Sequence, residues 1–144
     1  MDRENLIVVG TSRTLAPYQA ILSRLSFQMN AEKKVVTDQH PASGAPQVFW
    51  SEQKQSPTEV TTPGVIACLP GSAQGTHVLI LVTTYYTSAL VSYLTSESGL
   101  AELEAAQRSH GRSPYFEAVI SSEINGSTAL KSHLVAFRPI ASQH

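Results

Sequence analysis

A layered α/β sandwich, built on a mixed, partly parallel β-sheet flanked by about three helices, is the fold class this sequence of 144 residues predicts. Three observations carry that expectation. The run "LIVV" from Leu6 is unbroken and β-branched, which suits a strand covered on both faces. Helical spacing follows this run and appears again after a second one, "HVLILVTT". The chain then closes on two alternating segments around an Asn-Gly pair.

The elements follow in order. After Leu6 to Val9, Thr14 or Ser12 can cap a helix with Pro17 near its first turn and Tyr18, Leu22 and Leu25 on one stripe. From Asn30 to Thr62 the chain is rich in Pro, Ser, Gln and Gly, as in "DQHPASGAP" and "SEQKQSPTEVTTP". Short extended pieces at Lys34 to Thr37 and Gln47 to Trp50 read as weak edge strands of an excursion. "GVIACLP" and "HVLILVTT", separated by "GSAQGT", predict two antiparallel neighbours. Thr87 or Ser88 can cap a helix that buries Leu90, Val91 and Leu94. Ser96 or Ser98 can cap the next, "GLAELEAAQR", with Leu100, Leu103 and Ala106 or Gln107 at helical spacing. "YFEAVISSEI" and "LKSHLVAFRPI" then form a terminal hairpin with Asn125-Gly126 in its turn. The expectation is one domain, 1-144, cut from a longer protein, because the first strand begins five residues from Met1.

Composition narrows the function classes. Ten basic and eleven acidic side chains are scattered without a block, giving a net charge of −1. This argues against direct nucleic-acid binding or attraction to anionic lipid. Eighteen apolar residues never run together, so no membrane insertion is expected and the chain reads as cytoplasmic. Cys68, the single cysteine, lies in "VIACLP" and reads as a small buried hydrophobe. The five histidines have no ligand-like spacing, so no metal is expected. Glu117 and Glu123 read as one polar strand face, and at roughly 20 Å apart they are too distant for a carboxylate pair. Asp2 and Asp38 are the only aspartates and no "GxSxG" elbow occurs, so no catalytic residue is assigned and no cofactor is required.

Candidate ligand chemistry concentrates at two strand-to-helix turns. "GTSRT" contributes Gly10, Thr11, Ser12, Arg13 and Thr14; "VTTYYTS" contributes Thr84, Tyr85 and Thr87. Backbone N–H groups at a helix start face anions, hydroxyls can add donors, and the Arg13 fork can close on a phosphate or carboxylate. In the competing reading the threonines cap the helix and Arg13 lies in solvent. The lysine of "GxxxxGK[ST]" and the second glycine of "GxGxxG" are missing, which rejects both nucleotide fingerprints. Should the two strands prove parallel and adjacent, the crevice at their carboxyl ends is the expected position for a small anionic molecule.

The last strand, Leu130 to Ile140, places Leu134 and Ala136 on one face and Val135 and Phe137 on the other, with only Lys131 and Arg138 guarding it. At a sheet edge it would favour a homodimer through this C-terminal strand.

The succession "NLIVVGTSRT", "GVIACLP", "HVLILVTTYYTSALVSYLTSESGLAEL", "PYFEAVISSEINGS" and "HLVAFRP" resembles a bacterial C-terminal α/β domain of unknown function. That domain is found in longer proteins, often behind an N-terminal winged-helix or other regulatory region. The resemblance implies a non-enzymatic sensor or interaction role. "GTSR" is also similar to the Gly-Ser-x-Arg phosphate loop of NADPH-dependent flavin reductases, which would imply a flavin- or nucleotide-binding enzyme with its phosphate at Gly10 to Thr14.

Overall fold

The opening apolar run forms β1 (Leu6–Thr11), followed by a 3-10 turn (Ala16–Tyr18) and a four-residue α1 (Gln19–Leu22). The computed structural model describes residues 6–11, 14–30, 35–41, 48–53, 59–70, 77–83, 87–110, 114–126 and 128–140. The helix is much shorter than its stripe suggested. Gln28 Nε2 donates to the carbonyls of Leu22 and Leu25 at 2.8 and 2.6 Å, closing the helix end, and the chain is already extended by Phe27. Leu22 and Leu25 are nevertheless buried, as the stripe required.

The excursion is more than a pair of weak strands. β2 (Phe27–Asn30), β3 (Val35–Asp38) and β4 (Val48–Trp50) pair antiparallel into a sheet of their own. Its first strand was hidden, because "FQMN" carries too few residues to show a period. β5 (Glu52–Gln53) joins the main sheet instead.

β6 (Glu59–Pro70) begins five residues before the glycine that opened the expected strand, and it places Pro63 inside a central strand. Proline has no N–H to give a ladder. It is tolerated because pairing with β7 (His77–Thr83) ends at Gly64↔Thr83 and pairing with β5 begins at Thr61, so Pro63 falls between the two partners on that side. β6 and β7 are antiparallel neighbours, as the short connection required.

α2 (Thr87–Thr95) and α3 (Glu97–Ser109) follow. Of the alternatives for the second cap, Ser96 serves: its Oγ accepts the Gly99 N–H at 3.0 Å. The predicted buried faces need correcting. Val91 and Leu100 are exposed, while Tyr93 and Leu103 take the interior positions beside Leu90. α2 meets β7, β8 and β9 along the Ala89, Leu90, Tyr93 stripe, one residue away from the face that included Val91.

β8 (Phe116–Asn125) and β9 (Thr128–Pro139) form the terminal hairpin. Gly126 turns it with φ +63°, a conformation that suits glycine. The main sheet runs β1-β7-β6-β8-β9, with β1 parallel to β7 and the other pairs antiparallel. β9 is therefore an edge strand. Two bulges interrupt it: Val119 pairs with Ala136 and Ile120 with Leu134, leaving Val135 extra, and Glu123 pairs with Lys131 and Ile124 with Ala129, leaving Leu130 extra. Both extra residues are exposed.

Side chains alternate into two cores. On one face Val8, Val65, Ile80, Val82 and Val119 meet Leu15, Leu22, Phe27 and Val36; on the other Ile66, Leu81, Ala118 and Ile120 meet Leu90, Tyr93 and Leu103. The layers are thus small sheet with short helix, mixed sheet, and helix pair. The mixed, partly parallel sheet and three helices were legible, but strands predominate, and the α/β sandwich describes the molecule only loosely.

Candidate functional site

β1 and β7 are parallel and in register, with Gly10 opposite Val82 and Thr11 opposite Thr83. The two hydroxyl-rich turns therefore leave the sheet at the same end from adjacent strands. After β1 the chain sends Leu15 and Leu22 into the first core, and after β7 it sends Leu90 and Tyr93 into the second. Neighbouring parallel strands whose connections depart to opposite faces define a switch point, where the chain ends open a crevice.

The first turn is largely occupied with itself. Thr11 N–H donates to Thr14 Oγ1 at 2.9 Å and Thr14 N–H to Thr11 Oγ1 at 3.3 Å, a reciprocal arrangement like a capping box. Leu15 N–H donates to the Thr11 carbonyl at 2.9 Å. Gly10 is needed for packing: a Cβ there would run into Thr14 Oγ1 and press on the Leu15 side chain. Gly10, Thr11 and Thr14 thus bond within the turn, but the expected threonine cap of the helix is not formed: α1 starts only at Gln19, with Tyr18 at its N-cap position and no side-chain cap. Ser12, Arg13, Thr84 and Tyr85 lie outside the described residues; Thr87 opens α2, and its side chain also lies outside them.

A second constellation was not anticipated. Arg138 on β9 reaches across to β3, giving NH1 to Asp38 Oδ1 at 2.7 Å and NH2 to Asp38 Oδ2 at 2.9 Å. NH2 also donates to the His40 carbonyl at 2.8 Å, and the guanidinium lies 5.0 Å from the Phe27 ring centroid. The Arg138 fork, helped by the His40 N–H, holds the Asp38 carboxyl below the usual carboxylate range against the opposing effect of burial. Glu117, expected on a polar face, is instead buried, and its Oε1 accepts the Phe27 N–H at 2.8 Å. The signal for this was present: in "FEAVI" both strand faces are apolar around Glu117, the pattern of a strand covered on both sides.

Glu117 and Arg138 help line a cleft of about 420 Å³ with mostly apolar walls. Across the sheet, a groove of about 450 Å³ runs between the start of α3 and β9, bordered by Ser92, Ser96, Glu102, Lys131 and His133. There Glu102 Oε1 accepts the Tyr93 hydroxyl at 2.7 Å and the Leu134 N–H at 3.1 Å. Burial, reinforced by Glu102, pushes the Tyr93 phenol well above its ordinary pKa and keeps it a donor. Burial likewise pushes the Cys68 thiol up, in keeping with a side chain that packs rather than reacts.

Among the described residues, no group of three or more His, Cys, Asp or Glu could hold a metal, and no helix is long and apolar enough to cross a membrane. No family model, curated protein or solved structure matches the chain.

Proposed function

We propose that this chain is a non-enzymatic sensor or interaction domain of a bacterial regulatory protein, and that a small anionic molecule binds at the carboxyl ends of β1 and β7. The observation that carries the reading is the parallel register Thr11↔Thr83, which brings both turns to one end of the sheet with their chains leaving to opposite faces. Because the Thr11 and Thr14 amides are already engaged by threonine hydroxyls, the anion is held by Arg13 and the start of α2 rather than by the amides of the first turn.

The test is a melting experiment with inorganic phosphate, flavin mononucleotide and nucleotides, on the wild-type chain and Arg13→Ala. At ten times the dissociation constant, a ligand that binds only the folded state stabilises by about 1.4 kcal/mol. A rise with phosphate that Arg13→Ala removes is expected; a rise with flavin mononucleotide or a nucleotide that Arg13→Ala removes would favour the flavin- or nucleotide-binding enzyme instead. An unchanged melting temperature at millimolar anion would end the proposal, and a yellow purified protein would favour the flavin enzyme instead.

A further inference from the structure

At the opposite end of the sheet from Thr11 and Thr83 lies the cleft of about 420 Å³. Its walls are the side chains of Ile21, Leu25, Leu69, Val78 and Ile140, and its polar groups are Arg24, Ser26, Glu117 and Arg138. That size and mixture, apolar walls with a few convergent polar groups, is what small-molecule pockets share.

The charge arrangement decides what would fit. Glu117 is 3% exposed. One oxygen accepts the Phe27 N–H, and its other oxygen makes no hydrogen bond among the described residues. Its cross-strand partner on β9 is Arg138, whose two terminal nitrogens are already bonded to Asp38 and the His40 carbonyl. Two carboxylates therefore share one guanidinium, leaving one negative charge at the floor of an apolar-walled cleft. Buried carboxylates are stable when a cation or several donors meet them. At the rim stands Arg24, exposed; its backbone N–H donates to the Ile21 carbonyl, while its guanidinium makes no hydrogen bond or ion pair among the described residues.

From this geometry we infer that the cleft binds a small apolar amine, its ammonium on the free Glu117 oxygen and its body against the aliphatic walls. Arg24 favours amines that also carry a carboxylate, which points to the apolar amino acids. The inference does not depend on the anion crevice, and either can fail alone.

Three probes of one shape separate the groups: phenylalanine, 2-phenylethylamine, which lacks the carboxylate, and 3-phenylpropionate, which lacks the ammonium. Calorimetric titration of the full chain is expected to show binding of the first two, phenylalanine tighter, and no binding of the third. Glu117→Gln keeps an acceptor for the Phe27 N–H and removes only the charge, so the variant should keep the wild-type circular dichroism spectrum and lose about tenfold or more in affinity for both amines. Arg24→Gln should bring phenylalanine down to the level of 2-phenylethylamine. Failure of both amines to bind at millimolar concentration would overturn the inference. So would 3-phenylpropionate binding as tightly as phenylalanine, or a folded Glu117→Gln with unchanged affinity. A Glu117→Gln chain that fails to fold transfers the decision to Leu69→Trp, which fills the cleft: unaltered amine binding there would equally overturn it.

Discussion

Asp38 and Arg138 are one hundred residues apart in sequence and joined by two charge-assisted hydrogen bonds, so this pair is the most informative single contact in the molecule. Because the Arg138 fork lowers the Asp38 pKa in the folded state, the unfolded chain takes up that proton first. The stabilisation is therefore complete above the unfolded value of about 3.9 and disappears as pH falls through the lower folded value. Asp38→Asn should lower stability at neutral pH by about 2 kcal/mol, less than the roughly 3–5 kcal/mol of a fully buried broken pair. The discount follows from exposure: the Arg138 side chain keeps 27% of its surface in solvent, against 5% for Asp38. Denaturant unfolding at pH 7 and well below pH 4 checks the sign, since the gap between wild type and variant must narrow in acid. A gap of equal size at both would show that the ion pair is not its source.

At the scale of elements, the turn after β1 illustrates how a sequence pattern can be read correctly as to place and wrongly as to purpose. "GTSRT" does sit at the carboxyl end of a strand, but the expectation that both faces of that strand are covered fails: β1 is a sheet edge, with Val8 and Gly10 buried while Leu6, Ile7 and Val9 are exposed. Its glycine admits the Thr14 side chain, and its outer threonines bond each other. Gly10→Ala would force Thr14 and Leu15 to shift, and Leu15 belongs to the first core. Overpacking of this kind typically destabilises by about 1–3 kcal/mol, and a fall in the urea midpoint of matching size is expected. A neutral Gly10→Ala would mean that the turn relaxes freely around the added methyl. β9 shows the reverse case. Its alternation foretold a strand, but pairing with β8 inserts an extra residue twice, and only the partner's register could reveal that.

Those bulges matter for the molecule as a whole. Bulges on an edge strand twist it away from further pairing, so a second copy would not simply continue the ladder past β9. A homodimer through the C-terminal strand would instead rest on the exposed side chains of Leu130 and Val135. Phe137 is a poor probe of such a contact, since it stacks on Phe116 at 5.2 Å and packs against the second core. Replacing Leu130 and Val135 together by lysine should return the mass in light scattering to the 15.5 kDa of one chain. A wild-type chain already of that mass at micromolar concentration would exclude the dimer.

What the sequence determined by itself is local. The apolar run of β1, the hairpin of β6 and β7, a serine cap at Ser96 or Ser98 and the Asn125-Gly126 turn each follow from forces acting within a few residues. Periodicity likewise identified α2 and α3, though with Val91 and Leu100 on the wrong side, because an apolar stripe several residues wide leaves the direction of its centre open. The tertiary structure decided everything that depends on which element meets which. It made β1 and β7 parallel neighbours, sent their connections to opposite faces and gathered "FQMN" into a separate sheet. It also buried Glu117 beneath β2 and drew Arg138 to Asp38 rather than to solvent. The physical reason is that a side chain's polarity fixes its preference for the interior, while the identity of its partner is set by chain closure over long separations, which no short-range pattern records.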